Sequence, residues 1–122
     1  MAYRGSKLVL CDNSGARTVR VLQIYGHAQA RVGDIILSVL EKKRKRVKIF
    51  FSKKINHCFV VSQRMVLFRN RGFYYVRFDK NACLMLGVDH DKLLSTRNYG
   101  LLTLESYKKS PVGFLKSCRN IV

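Results

Sequence analysis

The sequence predicts a mainly β domain of the small-barrel type, with a protruding basic β-ribbon and a short helical C-terminal part. Three observations lead there. Apolar and β-branched residues come in short runs separated by turn-forming residues, which is the spacing of strands. Eight Lys and Arg fall between residues 41 and 54, around a few apolar anchors. The chain has 122 residues and is 48% hydrophobic, enough for one domain with a real core, so the charge must decorate a folded globule.

Twenty-four Lys and Arg against seven Asp and Glu give a formal net charge of +17. A protein this small repels itself at that charge unless a polyanion neutralises it, and a nucleic acid is the polyanion to expect. An aromatic content of 11% excludes a disordered basic tail. The four cysteines, Cys11, Cys58, Cys83 and Cys118, are far apart. None sits in a C-x-x-C pair or beside a His at ligand spacing, so no zinc site and no cofactor are expected. Most lie in apolar runs, as buried, reduced thiols of an intracellular protein. No run approaches the about 18 apolar residues of a membrane span, and no charged-then-apolar signal opens the chain. No Ser, His and Asp are brought together and no Gly-rich loop opens a helix, so an enzyme is not expected.

Lys7 to Cys11 is a short strand that ends at the turn-formers Asp12-Asn13-Ser14-Gly15. Ala16 to Tyr25 is a half-buried strand through Val19, Val21, Leu22 and Ile24, with Arg17 and Arg20 left outside. After a loop at Gly26 to Ala30, Val32-Gly33-Asp34 turns the chain into Ile35 to Leu40, an apolar run that suits a barrel wall. The basic ribbon, about residues 41–57, carries Lys42, Lys43, Arg44, Lys45, Arg46, Lys48, Lys53 and Lys54. Val47, Ile49, Phe50 and Phe51 in its middle favour β over helix. Five consecutive cations beside such anchors suit a phosphate-contacting arm better than a solvated charge run.

Arg64, Arg69 and Arg71, around Asn70 and Gly72, form a loop too charged to bury. It leads into Phe73 to Phe78, a turn at Asp79 to Asn81, and the apolar run Ala82 to Leu86. That order predicts a core hairpin, with the Phe78 ring in the barrel. Consecutive aromatics in a strand face alternate sides, so either Tyr74 or the Phe73 and Tyr75 pair packs on the core, the competing use being base stacking. In Asp89-His90-Asp91 three adjacent side chains do not converge on one ion, which leaves a surface loop. Leu101 to Lys108 permits a short helix. A second follows from about Phe114 to Cys118 beyond Pro111 and Gly113, so the C-terminal helical part covers about residues 101–122.

Four motifs stand in a telling order: D-N-S-G-A-R at Asp12 to Arg17, V-G-D-I-I from Val32, F-D-K-N-A-C from Phe78 and T-R-N-Y-G from Thr96. With this order and spacing the chain resembles the universal large-subunit ribosomal protein L-fourteen family, from roughly residue 7 to the C-terminus. The resemblance implies one domain, 1–122, built as a five-stranded antiparallel β-barrel with the ribbon and helical part already described. It also implies a structural constituent of the large subunit that binds large-subunit rRNA and touches neighbouring ribosomal proteins. Small-subunit rRNA across the subunit interface and a ribosome silencing factor are the further partners implied.

The RNA-binding residues expected are Arg17, Lys42, Lys43, Arg44, Lys45, Arg46, Lys48, Lys53, Lys54, Arg64, Arg69 and Arg71. Thr96 and Arg97 are expected to dock the silencing factor. Lys80 stands where the family usually has Gly, Leu101 where it has Pro, a ribbon Gly is missing near Ile55, and one residue is added between Gly72 and Phe78. Such departures without an N-terminal extension point to a mitochondrial ribosome in the matrix and an organelle-encoded protein, with bacterial cytoplasm or a plastid as the alternatives. The competing functional reading is a small-barrel protein that binds single-stranded nucleic acid outside the ribosome.

Overall fold

The computed structural model describes residues 2–12, 14–43, 55–69, 74–87, 93, 99, 101–109 and 121. Five strands close a barrel in the order β1 (Lys7–Leu10), β2 (Ala16–Ile24), β3 (Ile35–Lys43), β4 (Ile55–Ser62) and β7 (Ala82–Met85). Two short strands, β5 (Leu67–Phe68) and β6 (Tyr75–Val76), pair with each other outside it, and among the described residues one helix, α1 (Leu104–Lys109), follows. The predicted five-stranded barrel is therefore present, with one refinement: four seams are antiparallel, and the closing seam between β1 and β7 is parallel, through Val9↔Ala82 and Leu10↔Cys83.

Burial explains why each strand carries its pattern. In β3 the side chains of Ile36, Ser38 and Leu40 point inward and are buried, a strict period of two. In β2 the buried residues are Ala16, Val19, Val21 and Ile24, and the spacing widens where register slips between Ala16 and Val19 and again between Val21 and Gln23. These bulges reset which face each residue shows, so Thr18 and Gln23 break the alternation without breaking the strand.

By contrast β4 and β7 are buried on both faces: Cys58 to Ser62 and Cys83 to Leu86 are continuously buried. One face joins the interior cluster of Leu8, Leu10, Val19, Ile36, Val60 and Met85. The other, with Phe59, Val61, Leu84 and Leu86, packs with Leu102 into a second core outside the barrel wall. A strand between two cores loses its alternation, which is why both read as unbroken apolar runs.

The predicted core hairpin is not formed. β6 pairs with β5 through Leu67↔Val76 and Phe68↔Tyr75, whereas β7 enters the barrel between β1 and β4. The turn chemistry of Asp79 to Asn81 serves a crossing instead of a reversal. The Asn81 side chain accepts the Arg64 N–H at 2.9 Å, its carbonyl accepts the Val9 N–H at 3.0 Å, and the Lys80 carbonyl accepts the Ser62 hydroxyl at 3.3 Å. An apolar run that needs cover on two sides finds it only in the barrel. As a result Tyr74 and Tyr75 are both exposed, against the expectation that one face of the aromatic strand packs on the core. Phe78 is half-buried beside the helix, outside the barrel interior, with its N–H on the Gln63 carbonyl at 3.2 Å.

The first helix starts three residues later than the sequence suggests because Thr103 caps it. Its hydroxyl accepts the Ser106 N–H at 3.2 Å and donates to the Val61 carbonyl at 3.0 Å, so one buried oxygen both starts α1 and ties it to β4. Cys58 and Cys83 are buried free thiols and Cys11 is half-buried. Contact with the Cys58 thiol, then burial, pushes the Cys83 thiol well above its ordinary range, which keeps it protonated and unreactive at neutral pH. The second helix and the Asp89-His90-Asp91 loop lie outside the described residues.

Candidate nucleic-acid interface

Two of the four sequence motifs hold the barrel together. Asp12 is fully buried at the β1–β2 turn. Its Oδ1 accepts the Ser14 hydroxyl at 2.6 Å and the Ser14 N–H at 3.2 Å, while Oδ2 accepts the Met85 N–H at 2.9 Å. One carboxylate thereby shapes the turn and bonds it to a strand 73 residues away. Gly33 takes a φ of 91°, its N–H bonds the Val60 carbonyl at 2.8 Å, and a Cβ there would run into the Lys109 side chain. Its neighbour Asp34 accepts the Arg31 N–H at 2.8 Å. Glycine is therefore required by the backbone angle, and any other residue would also displace the Lys109 side chain.

The Asp12 turn leads into a cationic end of the barrel, whereas Gly33 lies at the opposite end of the β2–β3 pair. Strand β2 begins beside the end of β3, with Ala16 opposite Lys43 and Thr18 opposite Lys42. Arg17, Lys42 and Lys43 are all exposed there and pair with no acid among the described residues. On the same strand, one residue before Lys42, Glu41 collects Lys7 from β1 at 3.2 Å and Arg20 from β2 at 2.9 Å, both on Oε1. Burial raises the Glu41 carboxyl, but hydrogen bonds from Lys7 and Arg20 and their charges outweigh it and hold the group below the usual range. The acid cancels part of the charge next to the three cations and leaves those three for a ligand.

The loop arginines divide in the same way. Arg64 is exposed at the mouth of the β5–β6 excursion. Arg69 instead donates to Glu105 of α1 through Nε at 2.9 Å and a second nitrogen at 3.5 Å, and its guanidinium lies 5.8 Å from the centre of the Tyr74 ring. Glu105 first and Tyr74 second raise its affinity for the proton. That pair straps β5 to the helix across a groove of about 470 Å³ lined by Val32, Met65, Leu67, Val76 and Phe78 among others. Arg69 thus has a partner within the chain, 36 residues away, that no local pattern announces.

The described parts of the region expected as ribbon belong to the barrel: Glu41 to Lys43 continue β3 against β2, and Ile55 to His57 pair with β3. The remaining expected residues, Arg44, Lys45, Arg46, Lys48, Lys53, Lys54, Arg71, Thr96 and Arg97, lie outside the described residues. Sequence reasoning passed over Arg77 and Lys80, both exposed, and Phe68, the most exposed large apolar side chain among the described residues. The signal was present in the alternation of β5 and β6, which is invisible until their pairing is known.

Among the described residues no group of His, Cys, Asp and Glu is placed to hold a metal ion, and no helix is long and apolar enough to cross a membrane. The sequence model of the family described as ribosomal protein L14p/L23e matches residues 1–117, nearly the whole barrel chain. The chain belongs to the ribosomal protein L14p/L23e family, whose members are structural proteins of the large ribosomal subunit and not enzymes.

Proposed function

We propose that this large-subunit ribosomal protein binds large-subunit rRNA through phosphate contacts at the cationic end of its barrel. The observation that carries the reading is the cross-strand register that gathers Arg17, Lys42 and Lys43 at one place while Glu41 occupies Lys7 and Arg20. Arg44, Lys45, Arg46 and Lys48 continue that run in sequence, and Arg64 and Arg71 add charge further along the chain. Phosphate contacts of this kind supply affinity without sequence readout. On the same reading the protein reaches small-subunit rRNA across the subunit interface and meets neighbouring ribosomal proteins. Departures such as Lys80 and Leu101 favour a mitochondrial ribosome over a bacterial or plastid one.

Tagged protein from fractionated cells is expected to sediment with the large subunit from mitochondria. Recovery in subunit-free fractions on single-stranded RNA would instead establish the small-barrel binder outside the ribosome.

Thr96 and Arg97 are proposed to form the patch where a ribosome silencing factor docks. An Arg that makes a paired bond to a partner carboxylate typically contributes about 2 kcal/mol or more. Arg97→Glu should therefore weaken capture of the silencing factor by free large subunits by about tenfold or more, with incorporation of the protein into subunits unchanged. A variant that fails to enter the subunit, yet binds the factor normally once inside, would place Arg97 on the RNA side.

A further inference from the structure

The β5–β6 hairpin has two unlike faces. On the inner face Leu67 and Val76 line the groove beside α1, and Arg69, two residues beyond Leu67, reaches Glu105. That face is anchored. On the outer face Phe68 and Tyr75 stand directly opposite each other, ring centroids 6.2 Å apart and planes at 60°, and they are 78% and 60% exposed. Two rings turned to water contribute little to folding when the opposite face already holds the hairpin down. Their surroundings are cationic: Arg77 follows Tyr75 at the next outward position, and Arg64 and Lys80 are exposed at the base of the hairpin. Asp79 is the one exposed acid in this set, since Glu105 is taken by Arg69.

Flat apolar faces edged with guanidinium groups are what an unpaired nucleotide needs, a ring for the base and a cation for its phosphate. A double helix buries its base faces and offers nothing to the rings. We propose that the outer face of the β5–β6 hairpin is a stacking platform for unpaired RNA nucleotides, with Phe68 and Tyr75 receiving the bases and Arg77 and Arg64 the phosphates. The proposal rests on the rRNA-binding reading and adds the kind of RNA element this face takes: a loop, bulge or end, in contrast to the duplex backbone that satisfies the cations of β2 and β3.

The chain contains no Trp, so Tyr75→Trp places a single indole in the platform of the full-length protein. Titration with oligoadenylate of about 12 nucleotides should quench that indole, and an RNA duplex of equal length should not. The double variant Phe68→Ala/Tyr75→Ala should lose about tenfold or more in affinity for the single strand, with duplex binding changed by less than about twofold. Its melting temperature should stay at the wild-type value, because both rings are exposed. Phe68→Leu/Tyr75→Leu should behave like the alanine pair, because leucine keeps apolar area but has no π face.

An equal loss on both RNAs, or no loss on either, overturns the platform. Unchanged RNA affinities with failed entry into the large subunit would assign the face to a protein neighbour and overturn it too. In each case wild-type binding to duplex with a steep salt dependence leaves rRNA binding standing. If the wild type binds neither RNA, the underlying reading falls with the platform.

Discussion

Asp12→Ala is expected to destabilise the protein by about 4 kcal/mol, a large part of the 5–15 kcal/mol that typically holds a domain together. The Met85 N–H, the Ser14 N–H and the Ser14 hydroxyl all depend on this one fully buried carboxylate. Each buried donor left without a partner costs about 1–3 kcal/mol. Asp12→Asn retains one acceptor oxygen and turns an NH₂ towards a donor, so roughly half the loss is expected. Urea unfolding of the two variants measures the order directly. A loss under about 1 kcal/mol for the alanine variant would mean that β1 and β7 hold together without the carboxylate.

The second large effect is on binding. Changing Arg17, Lys42 and Lys43 together to Ala should lower the slope of log affinity against log salt by about two to three, since each neutralised phosphate contributes about 0.7–0.9. At low salt this amounts to orders of magnitude in affinity for an rRNA fragment. The paired change Lys7→Ala/Arg20→Ala removes as many formal charges as two of those three. Its effect on the slope should nonetheless be below one, because Glu41 already neutralises part of that charge. Equal slopes for the two variants would show that position on the barrel does not matter and that the net charge alone attracts RNA. No change in either would move the phosphate contacts to other cations.

How far the sequence reaches can be seen strand by strand. β3 was legible as the apolar run Ile35 to Leu40, because its inner side is buried and its outer side, Ile35, Leu37 and Val39, is half-buried. β2 was legible in spite of its bulges, since Val19, Val21 and Ile24 still mark an inner face. The partner of β7 was not legible. A strand with cover on both sides carries no mark of which neighbour lies where, and the turn residues before it looked like a reversal when they make a crossing. The site shows the same division. Exposed cations in a run, Lys42 and Lys43, announce themselves by local density of charge. Arg69 looked like one of them, yet its carboxylate partner stands on α1, and only the fold brings Glu105 within reach. The aromatic pair was hidden for a related reason: Phe68 and Tyr75 share a face through pairing, not through spacing.

The parallel seam also sets an order of assembly. β1, β2 and β3 are each hydrogen-bonded to the next strand in the chain, so the first four strands can meet as a meander while synthesis is still under way. The strand that closes the ring arrives only after the whole β5–β6 excursion, and it must dock between the first strand and the fourth at once. Closing so long a loop is slow because its entropy is lost before the contacts form. Until then β1 and β4 both present open edges able to recruit another chain. The dense positive charge keeps two such half-closed chains apart, so a surface suited to a polyanion also guards the nascent protein against its own copies.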